Sequence, residues 1–138
     1  MDEQPVRLFK ETRTPIPATR PQARRVDYEY ERAGVANIFM FSCPLGCWRR
    51  VSVRERKTKM DWAFEIKILS EVARALSRRL EIIPTPKHGS WLNIAENELS
   101  ALTVQCVRGI RFVTIEELRV AVEAWAAACN ANKGLVRK

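Results

Sequence analysis

Along this chain apolar and polar residues alternate over some stretches and recur at helical spacing over others. Val26, Tyr28 and Tyr30 stand between Asp27, Glu29 and Glu31, the two-residue period of a half-exposed strand. After a turn at Gly34, Ala36 to Cys43 is apolar on both sides, as expected of a central strand. Pro44 to Gly46 turns the chain back, and Val51 and Val53 then alternate with Arg50, Ser52 and Arg54, which predicts a further strand with one polar face. These segments read as an antiparallel meander. Trp62, Ile66, Leu69, Ala73, Leu76 and Leu80 step by four and three, so one amphipathic helix is expected from about Lys59 to Leu80, ~33 Å long at 1.5 Å per residue. A second helix has an apolar face of Ala95, Leu99, Leu102 and Cys106, with Glu96, Ser100 and Thr103 to its side. A last one opens on Thr114 and Glu117 in capping-box spacing and buries Ile115, Leu118, Val122, Trp125 and Cys129. Residues 11–25, with Pro15, Pro17 and Pro21, read as an irregular basic connection, and Asn130 to Lys138 as a frayed tail.

Composition narrows the classes. With 138 residues, 46% hydrophobic and 29% charged, the chain is long enough for one domain with a core and too apolar for a disordered segment. No apolar run approaches the ~20 residues that span a bilayer and no signal-peptide pattern opens the chain, so a soluble cytoplasmic protein without a membrane partner is expected. The formal charge of +8 favours phosphate backbones, whose counterions a basic surface releases. Positive charge is densest at Arg49, Arg50, Arg54, Arg56, Lys57 and Lys59, which is either a solvated strand end and loop or a track for DNA. Of the cysteines, Cys43 and Cys47 lie close in sequence, while Cys106 and Cys129 fall on apolar helix faces. With His88 the sole histidine, buried free thiols fit better than a zinc site.

The densest chemistry lies in Pro84 to Ser100. Pro84 and Pro86 fix an extended exit from the apolar Leu80 to Ile83, Gly89 permits a sharp turn, and Asn93 is placed to cap a helix with Glu96 in its first turn. The string Lys87-His88-Gly89-Ser90-Trp91-Leu92-Asn93, followed by Glu96, resembles the third catalytic segment of DDE transposases of the mariner superfamily, in its bacterial insertion-sequence branch. There Leu-Asn-x-x-Glu carries the last metal-binding acid, here Glu96. Met1 to Pro17 looks like the segment carrying the first acid, here Asp2, and Val26 to Phe41 like the strand pair that follows. The resemblance implies an α/β, ribonuclease H-like layered domain over residues 1–138, with a reduced, mainly antiparallel sheet flanked by helices. It further implies a copy shortened at its start, without the helix-turn-helix DNA-binding domains of the family. The family also has a buried strand ending in Asp-Asn, the second acid, between two helices. Nothing here matches it, and Glu71-Val72-Ala73-Arg74 reads as the junction of an internal deletion.

By that resemblance, Asp2 and Glu96 are two of three acids that hold Mg²⁺ or Mn²⁺ for phosphoryl transfer to and from DNA, in sites whose paired metals stand ~3.5–4 Å apart. Each has a plainer reading: Asp2 as an exposed acid, Glu96 as a capping acid for Asn93. Lys87 and His88 steady a phosphate or are exposed turn residues, and Trp91 packs beneath the helix start. Asp61 and Glu65, at i,i+4 spacing, are stand-ins for the missing acid or ordinary surface residues. Glu98 points ~200° away from Glu96 and is expected in solvent. The function expected is that of an insertion-sequence transposase domain, a DDE endonuclease inactive in this copy for want of the middle Asp. The alternative is a non-catalytic DNA-binding or assembly module, partnered by DNA and by an intact transposase or a second copy. A translated remnant without a role is a third reading.

Overall fold

The computed structural model describes residues 1–14, 16–20, 29–43, 46–75 and 94–132, and their arrangement is mixed α/β. Strands β1 (Asp2–Glu11), β2 (Tyr30–Cys43) and β3 (Trp48–Arg54) form an antiparallel sheet in the order β1-β2-β3. Helix α1 (Lys59–Ala75) lies against one face. On the other lie α2 (Ile94–Leu102), which runs on into a π turn over Thr103–Val107, and α3 (Ile115–Ala131). The side-chain period of a strand decides what each face carries. Val6 and Leu8, Ala36, Ile38 and Met40, and Val51 and Val53 all point to the α2/α3 side, where they meet Ala95, Leu99, Leu102, Leu118, Val122 and Ala126 in one buried cluster. Asn37, Phe39 and Phe41 point the other way, and the Phe39 ring meets Trp62 of α1 edge-on at 5.8 Å. Because β2 is covered on both faces from Ala36 to Phe41, its sequence loses the two-residue period there.

Two boundaries differ from the sequence reading. Gly34 does not turn the chain: β2 runs through it to Tyr30, because β1 offers a partner over the whole length. The register shifts between Leu8 and Phe9, leaving Ala33 as the extra residue of a bulge, and Gly34 at φ 128° takes the strain that a residue with a side chain resists. At the other end of the chain, Asn130 belongs to α3 and not to a frayed tail. The third strand, the Thr114 cap and the buried stripe of Leu118 and Val122 stand as expected, and Cys106 and Cys129 are half-buried rather than buried. The distal part of the expected long helix, the apolar Leu80 to Ile83 and the Asn93 cap fall outside the described residues.

Helix α1 is seated in an unexpected way. Trp62, Ile66 and Leu69, its expected buried stripe, are only half-buried, and the most buried of its described side chains is Glu65, 1% exposed. One Glu65 oxygen accepts from Arg54 Nε at 2.6 Å; the other, like Ser52 Oγ on the same sheet face, is buried with no hydrogen-bond partner among the described residues. An orphaned carboxylate oxygen is costly, while Arg54 is 27% exposed and also lies over the Phe64 ring. Glu65→Met is therefore expected to hold or raise stability by up to about 1 kcal/mol, whereas Glu65→Ala, which opens a gap under the helix, lowers it by about 2 kcal/mol. Urea unfolding of both variants checks the opposite signs.

The start of α1 carries a pH dependence. The Asp61 carboxylate accepts from the Thr58 hydroxyl at 2.6 Å and the Thr58 backbone N–H at 2.8 Å, and these bonds hold its pKa below the ordinary 3.8. A carboxyl lowered by folding contributes stability above its unfolded pKa and loses it as pH falls through the folded value. Stability should thus decline below about pH 4, with a shallower decline in Asp61→Asn, as followed by melts across the acid range.

Candidate functional site

The two acids singled out by the sequence stand on neighbouring elements. Counting back along β1, Asp2 shares the face of Gln4, Val6 and Leu8, which is the face toward α2. On α2, Glu96, Ser100 and Thr103 form a single stripe, and Ser100 Oγ donates back to the Glu96 carbonyl at 3.0 Å. The elements are clamped at Gln4 and Thr103: Gln4 Nε2 donates to Thr103 Oγ1 at 2.9 Å, and that hydroxyl has Gln4 Oε1 at 3.0 Å and the Leu99 carbonyl at 2.9 Å as acceptors. Further along, Phe9 N–H donates to the Phe112 carbonyl at 2.8 Å. Asp2 stands one strand repeat before Gln4, and Glu96 two helical turns before Thr103. Glu96 is exposed in the first turn of α2. Asp2 is half-buried, and its Oδ1 accepts from the Glu3 N–H at 2.9 Å.

Asp61 and Glu65, the other two acids of the sequence reading, are elsewhere. They face the opposite side of the sheet, tied to Thr58 and Arg54, and Glu3 pairs with Lys57 at 3.6 Å. Among the described residues no group of three or more His, Cys, Asp and Glu side chains is placed to hold a metal ion. Among the described residues the donors near β1 and α2 do not make up a two-metal centre, which draws carboxylates from several elements to one point.

Among the described residues, the cations from Arg49 to Lys57 are divided between the two faces of the sheet and the segment after β3. Arg49, on the core face of β3, is buried: its Nε and Nη2 donate to the two Glu98 oxygens at 2.8 and 3.2 Å, and its guanidinium lies 5.7 Å from the centre of the Trp125 ring. Burial works against that charge, but the Glu98 hydrogen bond and charge outweigh it and hold the Arg49 pKa above its ordinary value. Glu98 is therefore not in solvent; it is 16% exposed and joins α2 to β3. Arg54 is engaged with Glu65. Arg50 and Arg54 share the α1 face, and Arg56 and Lys57 follow as exposed residues. Lys87 and His88 lie outside the described residues.

Sequence reasoning missed Gln4, Thr103, Glu98 and Asn130 as partners, since each contact joins residues far apart in the chain. The Asn130 side chain accepts from the Arg49 N–H at 2.9 Å and donates to the Arg49 carbonyl at 2.8 Å, so its amide pairs with the outer edge of β3 as a neighbouring strand would. No helix among the described residues is long and apolar enough to cross a membrane. Comparison with family models, curated proteins and solved structures finds no match to this chain.

Proposed function

We propose that the chain is a DDE transposase-type, ribonuclease H-like domain in reduced form, which binds DNA and does not cut it. The observation that carries this reading is the clamp between Gln4 and Thr103, which joins β1, the strand that bears Asp2, to the end of α2, the helix that bears Glu96. The resemblance around Lys87 to Glu96 and the net charge of +8 add support. Loss of cleavage follows from the donor set: the sequence holds no aspartate after Asp61, and Asp61 is on the far side of the sheet, capped onto Thr58. Binding to duplex DNA should therefore weaken steeply with salt, by about one power of salt concentration per phosphate contacted. Fluorescence anisotropy between 50 and 200 mM salt, alongside a supercoiled-plasmid assay with Mn²⁺, tests both halves. The expected outcome is salt-sensitive binding with intact plasmid. Nicking that disappears in Glu96→Ala would show a competent enzyme, and absence of binding at low salt would remove DNA as the partner.

The observation that favours a binding module over an enzyme also identifies the cations to alter. Arg50, Arg56 and Lys57 are not drawn into the buried pairs that hold Arg49 and Arg54. Replacing Arg50 and Arg56 by Glu is expected to weaken DNA binding at least about tenfold at 100 mM salt and to flatten its salt dependence, with the melting temperature little changed. Anisotropy with the same duplex reads the difference.

A further inference from the structure

We propose that Cys47 and Cys129 form a thiol pair that closes to a disulfide under oxidising conditions, clasping the β2–β3 turn to the end of α3. The direction of α3 across β3 brings them to one place. Arg119 Nη2 donates to the Val53 carbonyl at 3.4 Å, Trp125 lies by the Arg49 guanidinium, and the Asn130 amide is bonded to the Arg49 backbone. Descending β3 from Val53 to Arg49 therefore follows α3 upward from Arg119 to Asn130. Cys129 sits one helical turn beyond Trp125 on the same stripe and next to Asn130, while Cys47 precedes Arg49 by two residues at the same end. Both thiols lie within electrostatic reach of the Arg49 guanidinium.

The local chemistry favours these two cysteines over the others. Thiolate is the form that attacks a disulfide, and burial pushes the Cys106 thiol up, which keeps it protonated and slow. Cys47 is also the one described residue other than glycine with positive φ, 48°, in a turn beside the exposed Gly46. A side chain in that left-handed region costs free energy that surrounding structure must offset, and such positions concentrate at functional sites. Cys43 is placed differently, on the strand face that looks toward α1, by its alternation with Phe41 and Phe39.

The step balances with glutathione disulfide as oxidant. One thiolate attacks a glutathione sulfur, forming a mixed disulfide and releasing one glutathione thiolate. The second cysteine thiolate attacks the protein sulfur of that mixed disulfide, forming the Cys47–Cys129 bond and releasing the second glutathione. Two electrons pass from the cysteine sulfurs to glutathione, and the two thiol protons leave with its thiolates.

The test is to treat the full chain with glutathione disulfide, block remaining thiols with iodoacetamide and map disulfides by mass spectrometry without reduction. A Cys47–Cys129 linkage is expected as the main intramolecular product, absent from Cys47→Ser and from Cys129→Ser, with Cys106 alkylated. Because the bond closes a loop of about 80 residues, the oxidised wild type should melt at least about 5 °C higher than the reduced chain, and the single variants should not. A dominant Cys43–Cys47 linkage, or glutathione on separate cysteines with no internal bond, would overturn the proposal.

Discussion

Glu98→Ala should destabilise the protein by about 3 kcal/mol, more than any surface substitution. The change leaves the Arg49 guanidinium 9% exposed in the α2/α3 layer without the carboxylate that both its Nε and Nη2 address. An uncompensated buried charge, rather than the lost attraction itself, accounts for the size of the effect. Two controls separate these terms. Glu98→Gln keeps an acceptor and should cost less, and the double change Arg49→Met with Glu98→Leu, which removes both charges and fills the space, should recover most of the loss. Denaturant midpoints for these variants decide the matter. Equal loss in the single and double variants would mean that Arg49 contributes through its packing on Trp125 and not through its charge.

Leu102→Ala is expected to cost about 3 kcal/mol, with Val104→Ala within about 0.5 kcal/mol as its exposed control. Leu102 is fully buried at the last turn of α2, just before the π turn, and packs with Leu99 and Ala95 on the β1 and β2 side chains, while Val104 is 61% exposed. The truncation leaves a cavity at the point where α2 is held to the sheet, and so also loosens the seam that Gln4 and Thr103 clamp. Thermal unfolding gives the stability loss, and hydrogen exchange at residues 94–107 should show that α2 opens first.

What the sequence disclosed depends on how local each signal is. The polar face of β3 and the stripe of α3 were legible because Val51, Val53, Leu118 and Val122 repeat at the spacing of their own elements. β1 carries the same signal at Val6 and Leu8, but Pro5 and the charged residues between weaken it; Pro5 is tolerated in a strand at the sheet edge. Gly34 was legible as a position needing freedom of φ, though whether that freedom makes a turn or a bulge was decided by β1 across the sheet. For the site, helical geometry correctly separates Glu98 from Glu96. It cannot show that Arg49, 49 residues away in sequence, rather than water, meets Glu98. Likewise the cluster from Arg49 to Lys57 looks uniform as a string, and only strand alternation together with the packing of α1, α2 and α3 divides it into buried and exposed cations.

We propose that Asp2, on β1, and Glu96, on α2, do not build a metal centre, and that the domain binds DNA without cleaving it. The most direct test is thermal unfolding with and without millimolar Mn²⁺, on the wild type and on Glu96→Ala. Metal that binds only the folded state stabilises it by RT ln(1 + [L]/Kd), so a site with a Kd of ~10 μM would add about 2.7 kcal/mol at 1 mM. The prediction is a cooperative transition at the same temperature with and without Mn²⁺ in both proteins. A rise of several degrees in the wild type that vanishes in Glu96→Ala would contradict the account and establish a working metal site.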